Sequence, residues 1–306
     1  MPLWRAQVPA MPAKGTTDPG ITDERACGTV LPPRQLRQTF LYGAKPSQAY
    51  TLAVQGMFRG GGNPAFPNPR PARYGCAMRR LFDPDNPELM DRPQPVSPAL
   101  ERDLANLRGL NRWFGAWRIV RRVLGPVLTQ GGRVEIADLC SGSGDLPRLM
   151  VQLGRRHGTR VEVEAVEGHP ATFEIGRRFC ADTSEVRFVH ADVRTWEPAG
   201  KPDWVVCSLA LHHFAESDAV DILRRMRAAA ARGVLVADLE RAWWASAGIH
   251  AASLFYREPM TVEDMRHSAK AAFSRRELRD LTLAAGWRDI RQERFWYGRQ
   301  AVWEVF

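Results

Sequence analysis

Three carboxylates each close an apolar run of this 306-residue chain: Asp138 in V-E-I-A-D, Glu167 in V-E-V-E-A-V-E and Asp192 in V-R-F-V-H-A-D. An ionised carboxylate only accepts hydrogen bonds, so one at such a position can take both hydroxyls of a ribose diol. Between Asp138 and the next apolar-periodic segment lies the small-residue string L-C-S-G-S-G-D, with Gly142 and Gly144. Glycines there let the backbone approach a ligand closely, and a following helix N-terminus favours negative charge. The combination points to a nucleotide-type cofactor at the carboxyl end of a parallel sheet. A fourth run, W-V-V-C-S-L-A-L, leads into His212 and His213. Imidazoles titrate near neutral pH and suit proton transfer. His250 is a further candidate for that role.

The elements that must position these groups follow from periodicity. The spacing of Leu146, Leu149, Met150 and Leu153 predicts a one-sided helix after the glycine loop. Strands are expected to end at Asp138, Glu167 and Asp192, with a fourth over 204–214 and a fifth over 233–240. Each of the first four should lead to a helical segment. Such alternation argues for a parallel sheet with helices on both faces. Ser97-Pro98 offers a helix cap, and Thr261 to Asp264 could cap a short helix. Ser274-Arg275-Arg276-Glu277 reads as a capping box. Two C-terminal strands, about 287–296 and 300–306, are separated by three residues and should pair as an antiparallel hairpin. The fold class is therefore α/β: a doubly wound, mostly parallel, seven-stranded sheet with a C-terminal antiparallel hairpin.

Two cofactor classes use glycine loops of this kind. A dinucleotide fingerprint needs G-x-G-x-x-G, and here the third position is Pro147. The acidic residue followed by a small, glycine-rich loop, with acids ending the later strands in order, instead resembles class I S-adenosylmethionine-dependent methyltransferases. The nearest likeness is to small-molecule enzymes grouped with the ubiquinone/menaquinone-biosynthesis C-methyltransferases. The resemblance runs from about residue 97 to the C-terminus. It implies S-adenosyl-L-methionine as cofactor, with Asp138 near the methionine amino group and Gly142 and Gly144 turning the backbone beneath it. Cys140 stands where the family often has a first glycine. The resemblance further implies Glu167 with Gly168 at the ribose, Asp192 with Val193 at the adenine, and Ser208 and Leu209 beside the reactive methyl. His212, His213 and His250 become candidates to touch the acceptor or to serve as its base. N-terminal helices would cover the cofactor, with Asn111, Arg112 and Trp113 over the active site.

Composition bounds the partners. Hydrophobic residues make up 44% of the chain, ample for a core. No apolar run approaches the roughly 18 residues that span a bilayer. The five cysteines form no C-x-x-C pair, so no metal or disulfide framework is expected, and a reducing cytoplasm is the simplest compartment. Of the net charge of +9, residues 1–77 carry +6. The arginines elsewhere are scattered rather than interleaved with aromatics in a stripe, so no nucleic-acid partner is expected. Residues 1–77 hold 11 of the 22 prolines and are expected to be a disordered extension ahead of a working chain that starts at Met78. Residues 78–130 form a lead-in with cap helices, and 131–306 the catalytic domain. An insertion at about 241–273, rich in Trp, Leu, Met and Phe, should cover a small, aromatic or apolar acceptor. A cofactor-binding protein acting on a macromolecule or as a scaffold is the alternative, and an NAD-dependent oxidoreductase a remote one.

Overall fold

The computed structural model describes residues 78–306, so the expectations for residues 1–77 lie outside the described residues. Seven strands form one sheet: β1 (Gly132–Leu139), β2 (Thr159–Glu167), β3 (Val186–His190), β4 (Trp204–Ser208), β5 (Gly233–Leu239), β6 (Arg291–Phe295) and β7 (Arg299–Val305). Their order is β3-β2-β1-β4-β5-β7-β6. β1 to β5 run parallel, β7 lies antiparallel against β5, and β6 pairs antiparallel with β7. The order of connection reverses between β1 and β4, whose neighbouring carboxyl ends open a crevice between them.

Alternating side chains feed two cores, as period-2 geometry requires. Ala137, Leu139, Val205, Cys207, Val234 and Val236 face one side, packed by α5 (Glu216–Ala229) and α8 (Arg275–Ala284). Val134, Ile136, Trp204, Val206 and Leu235 face the other, packed by α2 (Ala116–Leu128) and α3 (Asp145–Arg156). Trp287 closes the first core, its indole N–H donating to the Leu223 carbonyl at 3.0 Å. A third, smaller cluster joins Leu100 and Leu104 of α1 (Pro98–Trp113) to Ala171 and Ile175 of α4 (Pro170–Phe179).

Local signals explain most boundaries. Ser97 caps α1 by accepting from the Leu100 N–H, with Pro98 at the first helical position. The Ser274–Glu277 capping box forms at the head of α8. The helical spacing through Leu124 is divided into α1 and α2 by Gly115, whose φ of 105° suits glycine alone.

Several expectations need correcting. β3 ends at His190, short of Asp192, because the Asp192 carbonyl accepts from the Thr195 and Trp196 N–H groups and starts a turn. No helix follows β3: the path to β4 carries Pro198, Gly200 and Pro202, which break one. β4 stops at Ser208, since Leu209 takes a left-handed φ of 55°. The insertion folds as two helices, α6 (Trp243–Ser253) and α7 (Pro259–Ala271). Thr261 does not cap α7, which starts at Pro259; its hydroxyl donates to Asp103 Oδ1 of α1 at 2.6 Å. The first C-terminal strand is shorter than expected and the second is shifted by one residue, and the two form the antiparallel hairpin, turned by left-handed Tyr297 and Gly298.

Candidate active site

One cavity of about 930 Å³ opens above the carboxyl ends of β1, β2, β4 and β5. Asp138, Cys140, Gly142, Glu167, Gly168, Asp192, Val193, Ser208, Leu209, His212 and His213 all line it. Gly144 and His250 do not.

The first wall begins at Asp138, the penultimate residue of β1. Its Oδ2 accepts from the Ser141 hydroxyl at 2.5 Å, while Oδ1 is buried without a partner. Burial pushes this carboxyl up to about 7, against the pull of Ser141. The chain then turns sharply through left-handed Cys140 and Gly142, with φ of 54° and 56°. Glu167 clamps that turn: its Oε2 accepts from the Gly142 N–H at 2.9 Å and its Oε1 from the His169 N–H at 2.8 Å. Burial raises Glu167 to about 7 as well, partly offset by these backbone donors. Asp192 sits lower than an ordinary carboxyl because Arg194 bonds it through side chain and backbone.

Gly144 shapes this wall from behind. It caps α3 with φ of 78°, and a Cβ there would lie 2.6 Å from Cys180 Sγ and 2.9 Å from the Phe188 ring. Its contribution is a close approach of loop to α4 and β3 rather than a face toward the cavity. The next residue, Asp145, accepts from Asn111 Nδ2 at 3.2 Å and from Trp117 Nε1 at 3.2 Å, tying α1 and α2 over the loop. Asn111 therefore lines the cavity, whereas neither Arg112 nor Trp113 does, Trp113 being 72% exposed.

The opposite wall carries the histidines. A one-turn 3-10 helix, Leu211–His213, follows β4. His212 is 2% exposed; its Nδ1 lies 2.6 Å from Asp238 Oδ1 at the end of β5, and its Nε2 has no partner. His213 Nδ1 lies 2.6 Å from Asp91 Oδ2. The Nε2 atoms of both rings face Glu88, each 3.9 Å from one of its oxygens. Burial alone would lower the His213 imidazole, but Glu88 and Asp91 override it and raise it well above the ordinary value. This wall favours positive charge.

Glu88 and Asp91 come from the lead-in, and α7 holds them there. Asp264 accepts from the Leu89 and Met90 N–H groups at 2.7 and 3.0 Å, and Ser268 donates to Glu88 Oε1 at 2.6 Å. Arg80 adds a strap, donating to the carbonyls of His212, Phe214 and Ala271 while stacking on Phe273. Trp244, Ile249 and Met265 supply an apolar surface from the insertion, with Leu107 and Phe114 opposite. His250 lies on the exposed face of α6, its Nδ1 engaged by the Ser246 carbonyl. The helical phase that turns Ile249 inward turns its neighbour outward.

Sequence reasoning missed Glu88, Asp91, Asp145, Asp238 and Arg299. Asp238 carried the same signal as Asp138, an acid closing an apolar strand. Arg299 of β7 is buried, with Nε and Nη1 unpartnered beside the cavity; burial lowers it to about 10.

Residues 136–233 match the family model of a methyltransferase domain. None of the curated proteins compared matches the chain. Among solved structures, the plantazolicin methyltransferase BpumL in complex with SAH is 10% identical, with 68% of this chain and 90% of that one covered and a TM-score of 0.52. The pyocyanin biosynthetic protein PhzM is 17% identical, covering 71% of this chain and 60% of that one, with a TM-score of 0.51. Human N-acetylserotonin methyltransferase in complex with SAM is 14% identical over 66% of this chain and 54% of that one, with a TM-score of 0.49. The chain thus spans less than two thirds of the latter two proteins' length. At these identities the likeness shows the fold, which is that of class I methyltransferases. No helix among the described residues is long and apolar enough to cross a membrane.

Proposed function

We infer that this chain is an S-adenosylmethionine-dependent methyltransferase, and we propose that its acceptor is a small aromatic or apolar molecule methylated on oxygen or carbon. The observation that carries this reading is the convergence of Asp138, Glu167 and Asp192 on one cavity beneath a left-handed loop. The residues fit the cofactor. The free Oδ1 of Asp138 is a buried acceptor suited to the methionine ammonium, and the unpartnered Ser208 hydroxyl lies in the same cavity. Both oxygens of Glu167 are fixed by backbone donors yet keep lone pairs for a ribose diol. To Asp192, with Val193 beside it, we assign the adenine amine; both its oxygens already accept from Arg194 and keep lone pairs for it. Gly168 lets the end of β2 approach the chain after β3 closely: a Cβ there would lie 3.3 Å from the Ala191 carbonyl oxygen.

When bound, S-adenosylmethionine supplies an electrophilic methyl on a sulfonium. The protein then has mainly to align the acceptor, and proximity and orientation can contribute on the order of 7–11 kcal/mol. Leu209 and the histidine turn lie at the end of β4, where the acceptor would meet that methyl. Trp244, Ile249, Met265 and Phe114 give the acceptor an apolar bed. PhzM, by name a pyocyanin biosynthetic protein, supports a small-molecule acceptor, and the likeness to the ubiquinone/menaquinone C-methyltransferases favours an aromatic ring. The antiparallel hairpin and Pro147 in place of a third glycine count against a dinucleotide cofactor.

Calorimetric titration of the full-length chain with S-adenosylhomocysteine tests the reading. One site per chain is expected, weakened at least tenfold by Glu167→Gln. No binding to the folded protein would overturn it. Labelled cofactor and fractionated small-molecule extracts would then find the acceptor; label that goes only into protein or nucleic acid would overturn the small-molecule assignment.

A further inference from the structure

We propose that Glu88, His212 and His213 hold a divalent first-row transition-metal ion, whose open position takes an oxygen or nitrogen of the methyl acceptor. The three side chains each offer one ligand atom, and these atoms lie within 4.8 Å of one another. The decisive feature is how the imidazoles are held. Each Nδ1 is engaged by a carboxylate at 2.6 Å, His212 by Asp238 and His213 by Asp91. A carboxylate only accepts, so each Nδ1 carries a proton, and release of any second proton leaves Nε2 as the metal-binding atom. Carboxylate-to-histidine support of this kind orients metal-ligating imidazoles and raises their basicity.

Without a cation these groups are poorly matched. Both Nε2 atoms face the same carboxylate, each 3.9 Å from one of its oxygens and so beyond hydrogen-bond distance. His212 Nε2 is buried with no hydrogen-bond partner among the described residues. Glu88 is 5% exposed and is fixed from behind by the Ser268 hydroxyl, so it cannot turn to solvent. A cation between the three groups satisfies all of them. Ligand edges in a tetrahedral site with bonds near 2.0–2.1 Å are about 3.4 Å, so the groups need only modest closure. Two imidazoles and one carboxylate suit zinc, cobalt, nickel or iron(II) rather than calcium, which prefers oxygen ligands in larger number.

Three protein ligands leave a fourth position, and all three residues line the cavity, so that position faces the acceptor space. An acceptor hydroxyl bound there would ionise more readily, its proton leaving to bulk water. The resulting oxygen lone pair forms the bond to the methyl carbon, while the breaking sulfur–carbon pair remains on sulfur. This acceptor role rests on the methyltransferase reading; the metal site itself does not.

Full-length protein, stripped with chelator and titrated with Co²⁺, gives the test, read by visible d–d absorption and by metal content after desalting. One equivalent per chain is expected. Glu88→Gln and His213→Gln should each weaken uptake at least tenfold, and Asp91→Asn, which touches no metal, by about 10–100-fold. Thermal melting and S-adenosylhomocysteine binding on the same samples report folding. Failure of the stripped wild type to take up stoichiometric Co²⁺ would overturn the site, as would uptake unchanged in both Glu88→Gln and His213→Gln. S-adenosylhomocysteine binding without cobalt uptake would sink the metal alone; cobalt uptake without S-adenosylhomocysteine binding would leave the metal and sink its role in methyl transfer.

Discussion

On one side of the cavity, Asp138 and Glu167 are built into neighbouring parallel strands, Asp192 follows two residues after a third, and hydrogen bonds from the adjoining turns fix all three. On the other, Glu88 and Asp91 arrive from a lead-in turn, His212 and His213 from another, and contacts to α7 and β5 hold them. The proposed cofactor side is thus carried by the sheet, and the proposed acceptor side is assembled from segments far apart in the chain. The first can be rigid whatever the acceptor is. The second can vary its apolar surface without disturbing the first.

The contrast predicts where substitutions will act. The largest effect belongs to Gly144→Val. Its branched side chain would meet Cys180 and Phe188 in a backbone conformation that disfavours it, costing about 3–5 kcal/mol in chemical denaturation and abolishing cofactor binding. Asp138→Asn should leave the fold intact and weaken S-adenosylhomocysteine binding by about 2–3 kcal/mol in calorimetry, the loss of a buried charge pair. It should also change the pH profile. With the carboxyl near 7, the neutral form dominates at lower pH and cannot pair with an ammonium. Wild-type affinity should therefore fall as pH drops from about 8 to 6, by up to about tenfold per unit below the midpoint for that single proton. The part contributed by Asp138 should vanish in Asp138→Asn, and an unaltered profile would reassign the dependence elsewhere.

Smaller effects should mark the acceptor side. Thr261→Val removes the hydroxyl that serves buried Asp103 and should cost about 1–3 kcal/mol of stability while cofactor affinity holds. A parallel loss of cofactor affinity would show that the two sides are not separable. His250→Ala is the weakest: on the exposed face of α6 it should change stability and turnover by no more than about 0.5 kcal/mol. A large loss of turnover would bring α6 closer to the chemistry than its present geometry allows.

The same division explains what could be read in the residues. Asp138, Glu167 and the glycine loop announce themselves because strand, turn and helix cap are local patterns, and the mostly parallel character of the sheet follows from their alternation. Glu88 and Asp91 sit in a proline-marked stretch with no periodicity, and only tertiary packing gives them partners, Ser268 of α7 for Glu88 and His213 for Asp91. Asp264 and Ser268 look like ordinary helix-surface residues until the lead-in turn is laid on them. His250 misled for the opposite reason: a histidine within an aromatic-rich insertion invites a role, but its direction depends on a helical phase that composition does not reveal.

Arg80 binds one carbonyl at the end of α7 and two in the histidine turn. A swing of the insertion away from the sheet would drag those carbonyls along. Admitting the proposed acceptor and disassembling the groups that would receive it are then a single motion, and the site would be complete only once shut.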